Sequence, residues 1–319
     1  MADFTSCYSA KIQEYLNFRE SLGFSNDHRK HLLRFDMYCS QFGKTADILT
    51  KDIVCGWISF EVASGRHCLE NKASAIRHFA RYIGGESYIL PTDRIPKGAN
   101  FVPYILSDEE LVRLFSAIDV AWNKHDPFLS ETMCVLFRLL YSGGLRPGEG
   151  RRIQISDIDF TTGEIFIRKS KRNKDRLIVI SGDMRELLCN YRNRRMILPS
   201  VDGSLFVHTN GLPLKEYEIN GYMRQCWKAA NPNVKPQLLP KLRPYDLRHL
   251  FASTLLHKWL DEGRDLYAML PYLRAYMGHE KFEDTAYYIH ILPNRLLTSH
   301  GINWEHIDSV GLEGRIWQH

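Results

Sequence analysis

Glu164-Ile165-Phe166-Ile167, then Arg168-Lys169-Ser170-Lys171-Arg172-Asn173-Lys174-Asp175-Arg176, then Leu177-Ile178-Val179-Ile180 decide how the rest of the chain is read. Two short β-prone runs flank nine residues, six of them Lys or Arg, on what reads as a hairpin tip. Exposed tips are often polar, but this density of positive charge exceeds what solubility needs. A basic hairpin suits entry into a groove or contact with a phosphate, so nucleic acid is the partner class it suggests. With Ile153-Gln154-Ile155 as a third run, this is the only clear β region. Helical periodicity fills the rest, which predicts a mainly α chain with one small antiparallel sheet.

Upstream of the hairpin, Ser107-Asp108-Glu109-Glu110 is a capping box before Leu111, Leu114, Phe115 and Ile118. Asp126-Pro127 starts the next helix, whose core stripe is Met133, Leu136, Phe137 and Leu140. It ends at Gly143-Gly144, followed by Leu145-Arg146-Pro147-Gly148-Glu149. An arginine projected from a helix end, with a carboxylate three residues on, is suited to holding an oxyanion. By itself it reads equally as a surface arginine in a turn.

The first ninety residues carry four helical patterns and no strand. Tyr8, Ile12, Tyr15 and Leu16 share a face before Gly23, and a second helix runs from Ser25-Asn26 to about Phe42. Thr50 caps a third with Ile53, Trp57 and Phe60 on one face. A fourth buries Ile76, Phe79, Ala80 and Ile83, leaving Lys72, Arg77 and Arg81 on its outer side. That basic face is either solvated or, in a DNA-binding protein, a phosphate-tracking surface. Residues 91–103, rich in Pro and Gly, read as a connector that lets two domains close around a rod-like ligand.

Downstream, helices are predicted over about Met184–Met196 and Leu214–Ala230. Another begins at Tyr245-Asp246-Leu247-Arg248-His249, and a further one over Leu266–Met277 is expected to break at Pro271. The last motif is Gly278-His279-Glu280-Lys281-Phe282-Glu283-Asp284-Thr285-Ala286-Tyr287-Tyr288-Ile289-His290. The tail beyond it is mildly amphipathic through Ile302, Trp304, Ile307 and Val310.

The chain has 319 residues, 44% hydrophobic and 25% charged, with net charge +5. That is globular composition with a basic lean, long enough for two cores. Seven cysteines without C-x-x-C spacing argue against a disulfide framework and for a reducing compartment. No leader pattern or membrane-length apolar run is present, so a cytoplasmic, nucleoid-associated location is expected. Repeats, zinc-type Cys/His spacing, a Walker loop, a dinucleotide fingerprint and a nucleophile elbow are all missing.

What remains is Arg, Lys, Arg, His and Tyr in chain order, and here the sequence resembles the tyrosine recombinases of the phage integrase family. The resemblance covers the second domain (104–319) and, more loosely, the first (1–90). It implies a helical core-binding (SAM-like) bundle joined to a mixed α+β catalytic domain. Residue by residue, Gly144–Glu149 is similar to the first-arginine box, with Arg146 catalytic and Glu149 its supporting acid. Lys171 matches the hairpin lysine, with Lys169 and Lys174 as alternative registers. Arg248 matches the second arginine, His279 the late histidine and Tyr288 the nucleophile, with Tyr287 its rival. The family usually has His or Lys where this chain has Tyr245. A phenol donates one hydrogen bond but is neutral at pH 7, so it brings neither the same charge nor the same proton affinity.

The implied reaction is attack of Tyr288 on a DNA phosphodiester, giving a 3′-phosphotyrosyl link and a 5′-hydroxyl that later reseals it, with neither metal nor ATP. The implied partners are double-stranded DNA, through Lys72, Arg77, Arg81, Lys169, Arg172, Lys174 and Arg176 among others, and further copies of the chain. These would be a dimer per site and a synaptic tetramer, joined through a segment within 291–319. An accessory DNA-bending or directionality protein is a further candidate, and a membrane is not. The wording Leu270-Pro271-Tyr272-Leu273-Arg274-Ala275-Tyr276 is closer to integrases of mobile elements than to chromosome-dimer resolvases. The alternatives are a nicking-closing enzyme of the type IB topoisomerase kind and a non-catalytic DNA-binding relative.

Overall fold

The computed structural model describes residues 4–24, 26–42, 48–65, 69–95, 103–120, 126–168, 175–198 and 202–291. Two compact units, Met1–Val102 and Pro103–His319, divide the chain.

The first unit is a four-helix bundle of α1 (Ser9–Ser21), α2 (Asp27–Cys39, continued by a 3-10 turn), α3 (Lys51–Ala63) and α4 (Leu69–Ile83). Tyr8, Ile12, Phe35, Trp57, Ile76 and Phe79 are fully buried in its core, Phe35 meeting Trp57 edge-on at 5.5 Å. The buried Asp36 carboxylate anchors the chain start by accepting from the Thr5 and Ser6 amides at 2.6 and 3.0 Å. Three expectations change here. The Thr50 side chain caps α3 as expected, but the buried face is Val54, Trp57 and Glu61, and Phe60 is 43% exposed. Lys72 is interior: its ammonium pairs with buried Glu61, which also takes Arg34 Nη2 at 2.9 Å. Once the helices place a carboxylate in the core, a cation has to follow it in, and this one came from the face read as external. Ile95, assigned to the connector, is likewise part of this core.

The second unit opens with α5 (Asp108–Val120), whose capping box is closed in both directions by Ser107 and Glu110. Then follow α6 (Pro127–Ser142), the one-turn α7 (Pro147–Arg151), the sheet, α8 (Gly182–Arg195) and α9 (Glu216–Ala230). The sheet order is β1 (Ile158–Asp159), β2 (Glu164–Ile167), β3 (Arg176–Val179), all antiparallel, with Ile165 opposite Ile178. Its first strand is not the Ile153–Ile155 run: Ile155–Asp157 is a 3-10 turn, and Gln154 bridges to Ser204 instead. Three helices complete the unit, α10 (Asp246–Asp261), α11 (Leu266–Met277) and α12 (Glu283–Ile291). Pro271 lies inside α11 without breaking it. At the sixth position it forfeits only the bond to Tyr267, near the helix start, where few bonds have yet formed.

Two apolar clusters share this unit and meet along α10. Leu247 and Leu250 belong to the large cluster of α5, α6, α8, α9 and the sheet. Ala252, Leu256 and Trp259 belong to the smaller one with α11 and α12, which includes Tyr288. Arg248 sits at the seam.

Candidate active site

Four segments converge on that seam. α6 must end sharply at Gly144, which is left-handed (φ +57) and lies so close to the Phe251 ring that a Cβ would collide with it. The turn frees the Gly144 carbonyl, which accepts from Arg248 Nη1 at 2.6 Å. Arg248 Nη2 donates to the Met277 carbonyl at 2.6 Å and to His279 Nε2 at 2.9 Å. Its Nε is buried with no partner among the described residues. Burial, then the nearby Arg146 charge, lowers the Arg248 pKa to about 10, so it remains a cation at neutral pH.

Arg146 is the N-cap residue of α7 and is tied to Glu149 through its amide (3.0 Å) and through Nη1 (2.6 Å). Nη2 reaches the Gly278 carbonyl at 3.3 Å. Burial alone would raise the Glu149 pKa, but Arg176 first and Arg146 next hold the carboxyl far below the usual range. Glu149 is the common anion of the site, with Arg248 Nη1 also 3.9 Å from its Oε2.

Because an arginine can only donate, its contact makes His279 Nε2 an acceptor. The proton therefore sits on Nδ1 and is donated to Thr285 Oγ1, 2.8 Å away. Burial, then Arg248, pushes the His279 pKa down to about 3, so the ring is neutral. It stacks on Tyr288 with centroids 5.9 Å apart and planes 11° from parallel. His249 packs on Tyr288 at 5.5 Å and on Tyr245 at 5.1 Å. Burial raises the Tyr288 pKa to about 12 against the lowering effect of Arg248. Tyr288 is 2% exposed; its rival Tyr287 is 38% exposed, outside the cage.

Tyr245 is a hydrogen-bonding neighbour of Arg146. Both line a cleft of about 570 Å³ together with Arg152, Arg243, Glu149 and Glu216, so three arginines and two carboxylates border it. Among the described residues no cluster of three His, Cys, Asp or Glu side chains could hold a metal ion, and no helix is long and apolar enough to cross a membrane.

The fold thus brings Arg146, Glu149, Tyr245, Arg248, His279 and Tyr288 together. Lys169, Lys171, Arg172 and Lys174 lie outside the described residues. In the first unit Arg81 is exposed, whereas Arg77 is half-buried with its Nε enclosed. Arg176, expected at the DNA surface, is 9% exposed and forms a two-bond pair with Glu149. Sequence reasoning missed that pair, the Thr285 contact and the place of His249 beside Tyr288. Thr285, three residues before Tyr288 in the first turn of α12, was the one with a readable signal.

A mainly helical unit with a three-stranded sheet thus holds two arginines, a histidine and a tyrosine at one seam. The chain belongs to the phage integrase family, whose model matches residues 105–295. A putative integrase/recombinase, y4rE, of Sinorhizobium fredii is 32% identical over 299 residues, covering 91% of this chain and 93% of the relative. Tyrosine recombinase XerC of Halalkalibacterium halodurans is 27% identical over 250 residues, 75% of this chain and 76% of the relative. Among solved structures, the Tn1549 transposon integrase in complex with transposon right end DNA superposes with a TM-score of 0.64 at 16% identity, over 87% of this chain and 94% of that one. XerH recombinase bound to its difH substrate superposes with a TM-score of 0.61 at 21% identity, over 86% and 78%.

Proposed function

We propose that this tyrosine recombinase cuts and rejoins double-stranded DNA through a 3′-phosphotyrosyl bond at Tyr288, and that it integrates or excises a mobile element. The observation that carries the reading is the meeting of Tyr288, Arg248, His279 and Arg146 from four separated segments. The integrase name of the 32%-identical relative favours the mobile-element role.

The chemistry follows from the groups. Tyr288 Oη attacks phosphorus, the bond to the 5′-oxygen breaks, and Lys171 of the basic hairpin protonates the leaving oxygen. Charge building on the non-bridging oxygens is met by Arg146 and Arg248, whose planar forks suit bidentate contact. Glu149 holds Arg146 in place. Tyr245 adds one neutral donor at the Arg146 side of the phosphate. His279, held by Thr285, orients Arg248 and the tyrosine ring.

Of Arg146, Arg248 and Tyr288, Arg146 alone lines the cleft, its side chain 18% exposed, while Arg248 and Tyr288 are sealed. Cleavage therefore requires α12 to release the Tyr288 hydroxyl toward the phosphate. We assign a dimer to each site and a tetramer to synapsis. The 292–319 tail proposed to join protomers lies outside the described residues.

The test is covalent trapping on nicked duplexes tiled across the DNA flanking the gene. Wild type and Tyr287→Phe form an SDS-resistant adduct, and Tyr288→Phe forms none. An adduct that survives Tyr288→Phe refutes the nucleophile. Salt-sensitive binding with no adduct from wild type would instead make the chain a DNA-binding accessory.

A further inference from the structure

Arg176 opens β3 at the foot of the basic hairpin, and its guanidinium joins segments far apart in the chain. Nη1 and Nη2 donate to the two Glu149 oxygens at 3.0 and 2.8 Å, and Nε donates to the Tyr276 carbonyl at 2.9 Å. Glu149 grips Arg146, and Arg146 reaches the Gly278 carbonyl, closing a ring of contacts. Gly278, left-handed at φ +65, leaves room for this: a Cβ there would stand 3.1 Å from Arg176 Cδ.

We propose that Arg176 is a positioning residue that locks the base of the hairpin to the Arg146 box and to the turn carrying His279, so that the seating of the hairpin sets the aim of the arginine cage. The proposal rests on the recombinase reading above. It takes Arg176 away from the phosphates and gives it a mechanical task. A planar fork can span both carboxylate oxygens while its Nε holds a carbonyl on another side; an ammonium can do one of these at a time. A displacement of the hairpin therefore reaches Arg146 through the shared carboxylate and His279 through the Tyr276–Gly278 backbone.

Two measurements on the full chain test it, and the first needs no catalysis. In hydrogen exchange without DNA, Arg176→Gln speeds exchange on the order of tenfold at the Arg146 amide and at Gly278–His279, while α5 and α9 keep their wild-type rates. Unchanged exchange at both places overturns the proposal, whatever the protein does to DNA.

The second is single-turnover adduct formation at saturating protein. Arg176→Gln slows it roughly 10–100-fold, Arg176→Lys recovers part of the loss, and DNA affinity with its salt slope stays unchanged. The slow variant is also more sensitive to acid than wild type, since Glu149 has lost the largest counterweight to its burial and releases Arg146 on protonation. A normal rate with a salt slope reduced by about one makes Arg176 a phosphate contact and overturns the proposal. If Arg176→Gln does not fold, Arg176→Lys decides: slow cleavage with a wild-type melting curve supports the role, and wild-type cleavage ends it. A wild type that shows the exchange pattern yet traps no DNA fails the recombinase reading, not this one.

Discussion

As the proposed nucleophile, Tyr288 is stored in its weakest form. Burial raises its pKa to about 12, and the stacked His279 and the tilted His249 hold its ring inside an apolar cluster. At neutral pH it is a phenol, so attack depends on the electropositive field of Arg248 and Arg146 and on release from burial. Tyr245 stands beside Arg146, at the position where the resemblance implies a basic group. Tyr245→Phe is expected to slow single-turnover adduct formation about tenfold without changing DNA affinity. Tyr245→His is expected to equal or exceed wild type below about pH 6.5, where an imidazole carries charge. Equal rates for all three would remove Tyr245 from the reaction. The motifs that carry the two arginines, the histidine and the tyrosine are each local, so the sequence could single these residues out, and the fold brings them to one seam. Glu149's second partner was not: Arg176 lies 27 residues away and looked like one more positive charge on a hairpin.

Among the elements, α4 shows how a helix-wheel argument fails at a charged position. Its apolar stripe was correctly legible in Ile76, Phe79 and Ala80. Lys72 was placed outside because lysine is rarely buried, yet α3 turns Glu61 inward and draws it in. Lys72→Met removes one cation from Glu61 and keeps the Arg34 pair. We expect a loss of about 2–3 kcal/mol on urea unfolding, below the ~3–5 kcal/mol of a fully broken buried pair. The salt slope of DNA binding should be unaffected; a slope smaller by about one would return Lys72 to the phosphate-contacting face. The same logic explains α11. Pro271 reads as a break by propensity, but Leu266, Leu270, Leu273 and Met277 bury one continuous face, and packing outweighs one missing bond.

At the scale of the whole molecule, acid should act on both units. Burial, the leading cause in each case, lowers His28 in the first unit to about 4, and His249 and His279 in the second to about 4 and about 3. A histidine with a depressed folded pKa binds its proton more readily when unfolded. Stability is therefore full above about pH 6.5 and falls as pH drops toward the folded values. Melting temperature should decline by about 3 °C or more per pH unit below 6.5, and His249→Asn should flatten that slope. A melting curve level from pH 7 to 5 would contradict the burial assigned to these rings. Sequence alone determined the helical class, the single basic hairpin and the chain order of Arg146, Arg248, His279 and Tyr288, because periodicity, caps and short motifs are local properties. Only the tertiary structure decided which charges face inward, that Tyr288 rather than Tyr287 enters the cage, and that Arg176 serves Glu149. Those outcomes depend on which buried carboxylates need partners and on which face of α12 packs against α10 and α11, and no local pattern encodes either.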